Sequence, residues 1–185
     1  IDTYDITNSM FEQSMENSAF KYNHIIFTDN TLYYAATNYD VGAALSKIQL
    51  AYDGKFPPME QFEEIRINLT GHSANCVERI GDELVSISGY SKGGINKFAI
   101  DDVSNQEKKF INEASDDFQG KYIHYNKDSN KVVTLNNTGR GIITVYNSSM
   151  QKENSFEVGS IDPNDGKNVC ISDNNYIYVC KGKNG

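Results

Sequence analysis

Two histidines head the residues able to do chemistry. His24 stands in His24-Ile25-Ile26-Phe27 and His124 in Tyr122-Ile123-His124-Tyr125, both short apolar runs that read as strands. Two imidazoles on equivalent strands could converge on a metal ion. No carboxylate stands at a recognisable ligand spacing from either, so both are expected to be hydrogen-bonded or solvent-facing, and no metal or other cofactor is called for. Asp162-Pro163-Asn164-Asp165-Gly166 resembles a fragment of a calcium loop but lacks the distal bidentate Glu, and Asp-Pro and Asp-Gly are ordinary turn formers. Asp116-Asp117 takes the same turn reading, and Glu63-Glu64 reads as a solvated face rather than an acid–base pair. Asn136 to Gly141 carries two glycines, but it joins one strand to another instead of opening a helix, so it is not a phosphate loop. No nucleophile elbow or HExxH motif occurs, and the expectation is a protein without enzymatic activity. Tyr39, Tyr52 and Tyr90 read equally as contact surface or half-buried core.

Cysteine and asparagine chemistry is more limited. Three cysteines allow one disulfide at most. Folding the chain about Asp173-Asn174 sets Cys170 opposite Ile177 and not opposite Cys180, so Cys76, Cys170 and Cys180 are all read as small buried hydrophobes. Glycosylation sequons begin at Asn68, Asn136 and Asn147, each at or beside an expected turn. Three are what chance predicts in a chain so rich in Asn, Ser and Thr, so the count alone carries no weight.

The elements that must position these residues are short strands. The 185 residues can bury one sizeable core, with 12 Tyr and 9 Phe supplying bulk in the absence of Trp. A net charge of −8 argues against a nucleic-acid partner, since Lys108-Lys109 and Lys181-Gly182-Lys183 are too small to neutralise phosphates. No apolar run approaches the roughly 18 residues of a membrane-spanning helix, so no membrane insertion is expected. A chain opening on Ile1 is expected to be a processed product or a slice of something longer.

One grammar runs through the chain four times: apolar strand, polar turn, more apolar strand, Gly-containing turn, alternating strand, polar turn, amphipathic strand. Equivalent second-strand residues Leu32, Leu84, Val132 and Ile177 are spaced by 52, 48 and 45 residues. A period of that size with four strands per unit predicts an all-β fold, a β-propeller of about four four-stranded blades. The β-sandwich is the alternative. The boundaries are 21–70, 71–118 and 119–160 for the first three blades and 161–185 for the inner strands of the last. Residues 1–20 supply its outer strands, from Ile1 to Thr7 and near Met10 to Phe20. The charge pattern also admits a helix at Met59 to Ile65 or Ser9 to Phe20.

The joined ends carry a resemblance. Asn175-Tyr176-Ile177-Tyr178-Val179-Cys180, then Gly185, then Ile1-Asp2-Thr3-Tyr4-Asp5-Ile6-Thr7-Asn8 is similar to the LVIVD-type repeat family of β-propellers. A second copy of the pattern is Asp82 to Ile87 followed by Gly94 to Asp101, and Ala44 departs from it where a turn Gly is expected. The resemblance implies an extracellular or cell-surface propeller and no catalytic residues. The expected role is structural or interactive, with other protein chains as partners, glycans where sequons are used, and self-association through Ile1, Tyr4, Ile6, Tyr176, Ile177, Tyr178 and Val179. If the first strands dock on another molecule, repetition gives a filament; if on their own, a closed ring. The rival reading is an enzyme or small-ligand binder using the channel mouth.

Overall fold

The computed structural model describes residues 20–38, 42–49, 64–68, 73–89, 92–100, 109–110, 118–161 and 168–181. These residues form strands and turns, with no helix among them. The first sheet holds β1 (Phe20–Thr28), β2 (Thr31–Asn38), β3 (Gly42–Gln49) and β4 (Glu64–Asn68). The second holds β5 (Ser73–Ile80), β6 (Glu83–Gly89), β7 (Ile95–Ala99) and β8 (Lys109–Phe110). The third holds β9 (Gly120–Asn126), β10 (Lys131–Asn137), β11 (Gly141–Asn147) and β12 (Lys152–Gly159). A hairpin of β13 (Val169–Ile171) and β14 (Ile177–Val179) follows. Each four-stranded sheet is an antiparallel meander in chain order.

The expected strands of the first three repeats are all present. Of the helix considered at Met59 to Ile65, only Glu64 and Ile65 are among the described residues, and they pair with Ile48 and Lys47 in β4. Ala44 likewise lies within β3, opposite Ala36. The strands expected at Ile1 to Thr7 and Met10 to Phe20 fall outside the described residues up to Phe20, which opens β1; Tyr39, Tyr52, Tyr90, Asp116-Asp117 and the Asp162 to Gly166 stretch also fall outside.

The sheets pack in series rather than as one sandwich. β1 and β2 lie on β5, β5 and β6 on β9, and β9 and β10 on β13. Three apolar seams result. The first joins Tyr33, Ala35 and Leu45 to Val77, Leu84 and Phe98. The second joins Val85, Ile87 and Ile95 to Ile123, Val132 and Tyr146. The third joins Val133, Leu135 and Ile143 to Val169 and Ile171. Second strands are therefore covered on both faces: five consecutive residues of β2 (Thr31 to Ala35) and six of β6 (Leu84 to Gly89) are buried. A single sheet with two apolar faces is unstable alone, which explains why the units stack.

Turn chemistry sets the registers. Asp29 and Asn30 both take positive φ (50° and 56°) in a two-residue loop between the paired Thr28 and Thr31, the twist-matched geometry that Asn and Asp tolerate. The β13–β14 hairpin differs from expectation by one residue. Ser172 N–H donates to Tyr176 O at 2.9 Å, and Asn175 takes φ 63° in a loop of three residues, not two. Cys170 therefore stands opposite Tyr178, not Ile177.

Candidate functional site

The first strand of every sheet is an edge strand, and its outward N–H and C=O groups need partners. An extra residue interrupts the first ladder after Tyr22, the second after Ala74 and the third after Gly120. Counting onward from this bulge, rung one is His24, Cys76 and Tyr122; rung two is Ile25, Val77 and Ile123; rung three is Ile26, Glu78 and His124; rung four is Phe27, Arg79 and Tyr125. The rung-four partners across the hairpins are Leu32, Leu84 and Val132, the residues that define the sequence period.

Four of these rung-one and rung-three side chains, His24, Cys76, Glu78 and His124, reach toward the next sheet and bond its edge. Val77 N–H donates to His24 Nδ1 at 3.5 Å. Cys76 Sγ–H donates to Ile123 O at 3.4 Å. The Glu78 carboxylate accepts from the Tyr125 backbone N–H. Ile171 N–H donates to His124 Nδ1 at 3.4 Å, which places Ile171 at rung four, Cys170 at rung three and Val169 at rung two of the last hairpin. Asn75, the bulge residue, donates from Nδ2 to Gly120 O at 2.5 Å. At the rim, Arg79 donates to Thr28 Oγ1 and pairs with Asp29 in the β1–β2 turn, and Asn126 Nδ2 donates to Asp173 Oδ1 at 2.8 Å.

The two histidines thus sit on different rungs and serve different seams. His24 also meets Tyr122 edge-on, with ring centroids 5.5 Å apart and Nε2 3.5 Å from the phenol oxygen. This contact spans from the first sheet to the third. With Nδ1 accepting, a neutral His24 carries its proton on Nε2 and directs it at Tyr122. Burial lowers the His24 pKa, and burial lowers that of His124 as well. Burial also pushes the Cys76 thiol up to about 12, raises the Tyr122 phenol, and lifts Glu78 to about 7 despite its bonds to the Arg79 and Tyr125 N–H groups. Among the described residues, no three His, Cys, Asp or Glu side chains are grouped to hold a metal ion.

Beside this row lies a cavity of about 430 Å³, lined by Tyr122, His124, Asn168, Cys170, Tyr178 and Cys180 among others. It opens where the third sheet meets the last hairpin. The expectation of three buried cysteines holds only for Cys76: Cys170 and Cys180 are exposed, and no disulfide joins any of the three. Strand alternation is the cause for Cys170: Val169 and Ile171 are buried, so Cys170 points to the open face together with its partner Tyr178.

The remaining expected sites are placed as follows. Asn68 ends β4. Asn136 lies inside β10 with its Oδ1 accepting from Gln119 N–H at 2.8 Å, and Asn147 ends β11 with both amide atoms bonded to Gln151. Ile1, Tyr4 and Ile6 are outside the described residues, whereas Tyr176 and Tyr178 are exposed and Ile177 and Val179 half-buried. Sequence reading missed Cys76 and Glu78. Aligning the repeats backward from their first turns would have set Cys76 on the rung of His24, and Glu78 on that of Ile26.

No family model matches the chain, and no curated protein matches it. Among solved structures it is similar to the β-propeller domain of Myceliophteria thermophila Cps50 (Swd1), at TM-score 0.52 and 12% identity, covering 82% of this chain and 48% of that one. It is also similar to the computationally designed Ika4 protein (TM-score 0.48, 14% identity, 88% and 92% covered) and to a eukaryotic initiation factor (0.46, 11%, 78% and 34%). The chain spans about half the length of the Cps50 domain. At such identity the Cps50 likeness concerns the fold alone: an all-β, propeller-like series of antiparallel sheets.

Proposed function

We propose that this chain is a non-enzymatic interaction module, a propeller-type scaffold that presents a rigid surface to other protein chains. One observation carries the reading. The side chains best suited to chemistry are spent on backbone: His24 on Val77, Cys76 on Ile123, Glu78 on Tyr125 and His124 on Ile171. An imidazole whose Nδ1 takes a backbone N–H has lost the lone pair a metal or substrate proton would use. The propeller likeness supports the architecture and is silent on activity. The cavity at Tyr122, His124 and Cys170 favours the rival reading, a small-ligand site at the channel mouth.

Thermal melting separates the two. The scaffold reading expects no change in Tm on titration with zinc or nickel, or with a panel of small metabolites at millimolar concentration. A saturable rise in Tm with any of them would replace it with the ligand-binding reading.

A further inference from the structure

The last hairpin turns two thiols to the same side. Val169 and Ile171 are buried against the third sheet, so the alternation of β13 sends Asn168 and Cys170 outward. On the returning strand Tyr178 and Cys180 are exposed, while Ile177 and Val179 are half-buried. The ladder sets Cys170 opposite Tyr178. It continues past Val179, where the Cys180 N–H donates to Asn168 O at 3.0 Å and so sets Cys180 opposite Asn168. Cys170 and Cys180 are therefore diagonal neighbours on one face, and both line the cavity beside Tyr122 and His124. Diagonal positions of an antiparallel pair lie about 7–8 Å apart. A disulfide cannot bridge Cα atoms more than about 7 Å apart without moving the backbone, and none joins this pair. A metal ion between the sulfurs suits the wider span. Two metal–sulfur bonds of about 2.3 Å hold the sulfurs about 4.6 Å apart, where a disulfide holds them about 2 Å apart.

We propose that Cys170 and Cys180 form a two-coordinate site for a soft monovalent cation of the copper(I) class. The number of donors selects the ion. His124 shares the cavity but adds no third donor, because its Nδ1 accepts the Ile171 N–H and the other nitrogen of the neutral ring carries the proton. No group of three His, Cys, Asp or Glu side chains is gathered among the described residues, so coordination stops at two sulfurs. Zinc takes four ligands in its ordinary sites and is not served by two. Calcium and magnesium want oxygen, whereas soft thiolates select copper(I). Tyr122 and Tyr178 give the same cavity aromatic walls, which suit a soft ion better than a strongly hydrated one. Binding is a proton exchange: each S–H bond releases its proton to solvent as a sulfur–metal bond forms. One cation enters, two protons leave, and no electron changes hands. The site goes beyond the scaffold reading and does not rest on it.

The probe is silver(I), an ion of the same class that needs no reductant, added in chloride-free buffer to the full 185-residue chain. Native mass spectrometry is expected to show one ion per chain, retained against millimolar glutathione. Maleimide labelling of the loaded protein is expected to fall from two groups to none. Cys170→Ser and Cys180→Ser replace exposed thiols with a group of nearly the same size, so neither opens a cavity, and circular dichroism checks the fold of each. Each variant is expected to hold silver at least about a hundredfold more weakly in competition with glutathione, since joining two weak sites on one rigid hairpin raises affinity by about 10²–10⁴. Retention that either variant leaves unchanged overturns the proposal. So does a chain that keeps no ion against glutathione, a chain that takes two ions with one on each thiol, or a loaded chain whose two thiols still react with maleimide. The zinc, nickel and metabolite melts read a different event, so failure here leaves the scaffold reading standing.

Discussion

Glu78 makes the fold's stability fall where most carboxylates make it rise. Its carboxyl is largely buried on rung three between the second and third sheets, and burial lifts its pKa from 4.5 to about 7. An acid paired with a cation is usually depressed, and protects the fold at neutral pH. Here the sign is reversed. Below pH 4.5 both folded and unfolded chains hold the proton and the contribution is complete. As pH rises from 4.5 to about 7 the unfolded chain releases it first, and stability is lost; above 7 the loss levels off. At 1.36 kcal/mol per pKa unit the loss totals about 3 kcal/mol, a sizeable share of the 5–15 kcal/mol that holds an ordinary domain together. Glu78→Gln removes the titration and keeps an oxygen to accept the Tyr125 N–H. Urea unfolding at pH 4.5, 6 and 8 compares the two proteins. The wild type is expected to lose about 3 kcal/mol more than the variant across that range, a midpoint difference on the order of 1–2 M. Parallel stability curves would refute the assignment of a buried, protonated Glu78.

Two further outcomes are open to direct measurement. A Cβ added at Gly93 would lie 2.4 Å from Phe118 O and 2.7 Å from Ser88 O, both backbone atoms that cannot swing aside, so Gly93→Ala is expected to cost about 1–3 kcal/mol in urea unfolding; unchanged stability would show that the second and third sheets are not in close contact there. Maleimide labelling read by mass spectrometry should add two groups to the native protein, at Cys170 and Cys180, with Cys76 reacting only after unfolding; three labels on the native chain would refute the burial of Cys76 in the second seam.

Much of the architecture was legible because hydrophobic periodicity and turn residues act locally. Leu32, Leu84 and Val132, equivalent second-strand positions in the sequence repeat, occupy the same rung of successive hairpins. Double-sided burial of second strands was readable from unbroken runs such as Leu32 to Ala35. What escaped depends on one-residue detail. Asp173-Asn174 reads as a two-residue turn, and only the left-handed backbone of Asn175 adds the third residue. That slip moved Cys170 from a partner of Ile177 to a partner of Tyr178. The bulges were equally silent, since nothing in Asn75 as a letter marks it as the residue a ladder skips. Without them His24 and His124 look equivalent, while the structure sets them two rungs apart. Cys76 and Glu78 were passed over because their roles are toward a neighbouring sheet's backbone, which carries no side-chain signature.

The sideways bonds from rungs one and three also impose a timetable. Each points forward along the chain: His24 waits for Val77, Cys76 for Ile123, Glu78 for Tyr125 and His124 for Ile171. A hairpin leaving the ribosome therefore finds its docking surface already assembled by the segment translated just before it, with donors and acceptors aimed at the newcomer. Among the described residues the seams join each sheet to the one made just before it, while His24 also waits for Tyr122 of the third sheet. Duplication or loss of one unit would likewise preserve the matching of faces, so a gene encoding this arrangement can change length in whole repeats without redesigning a single junction.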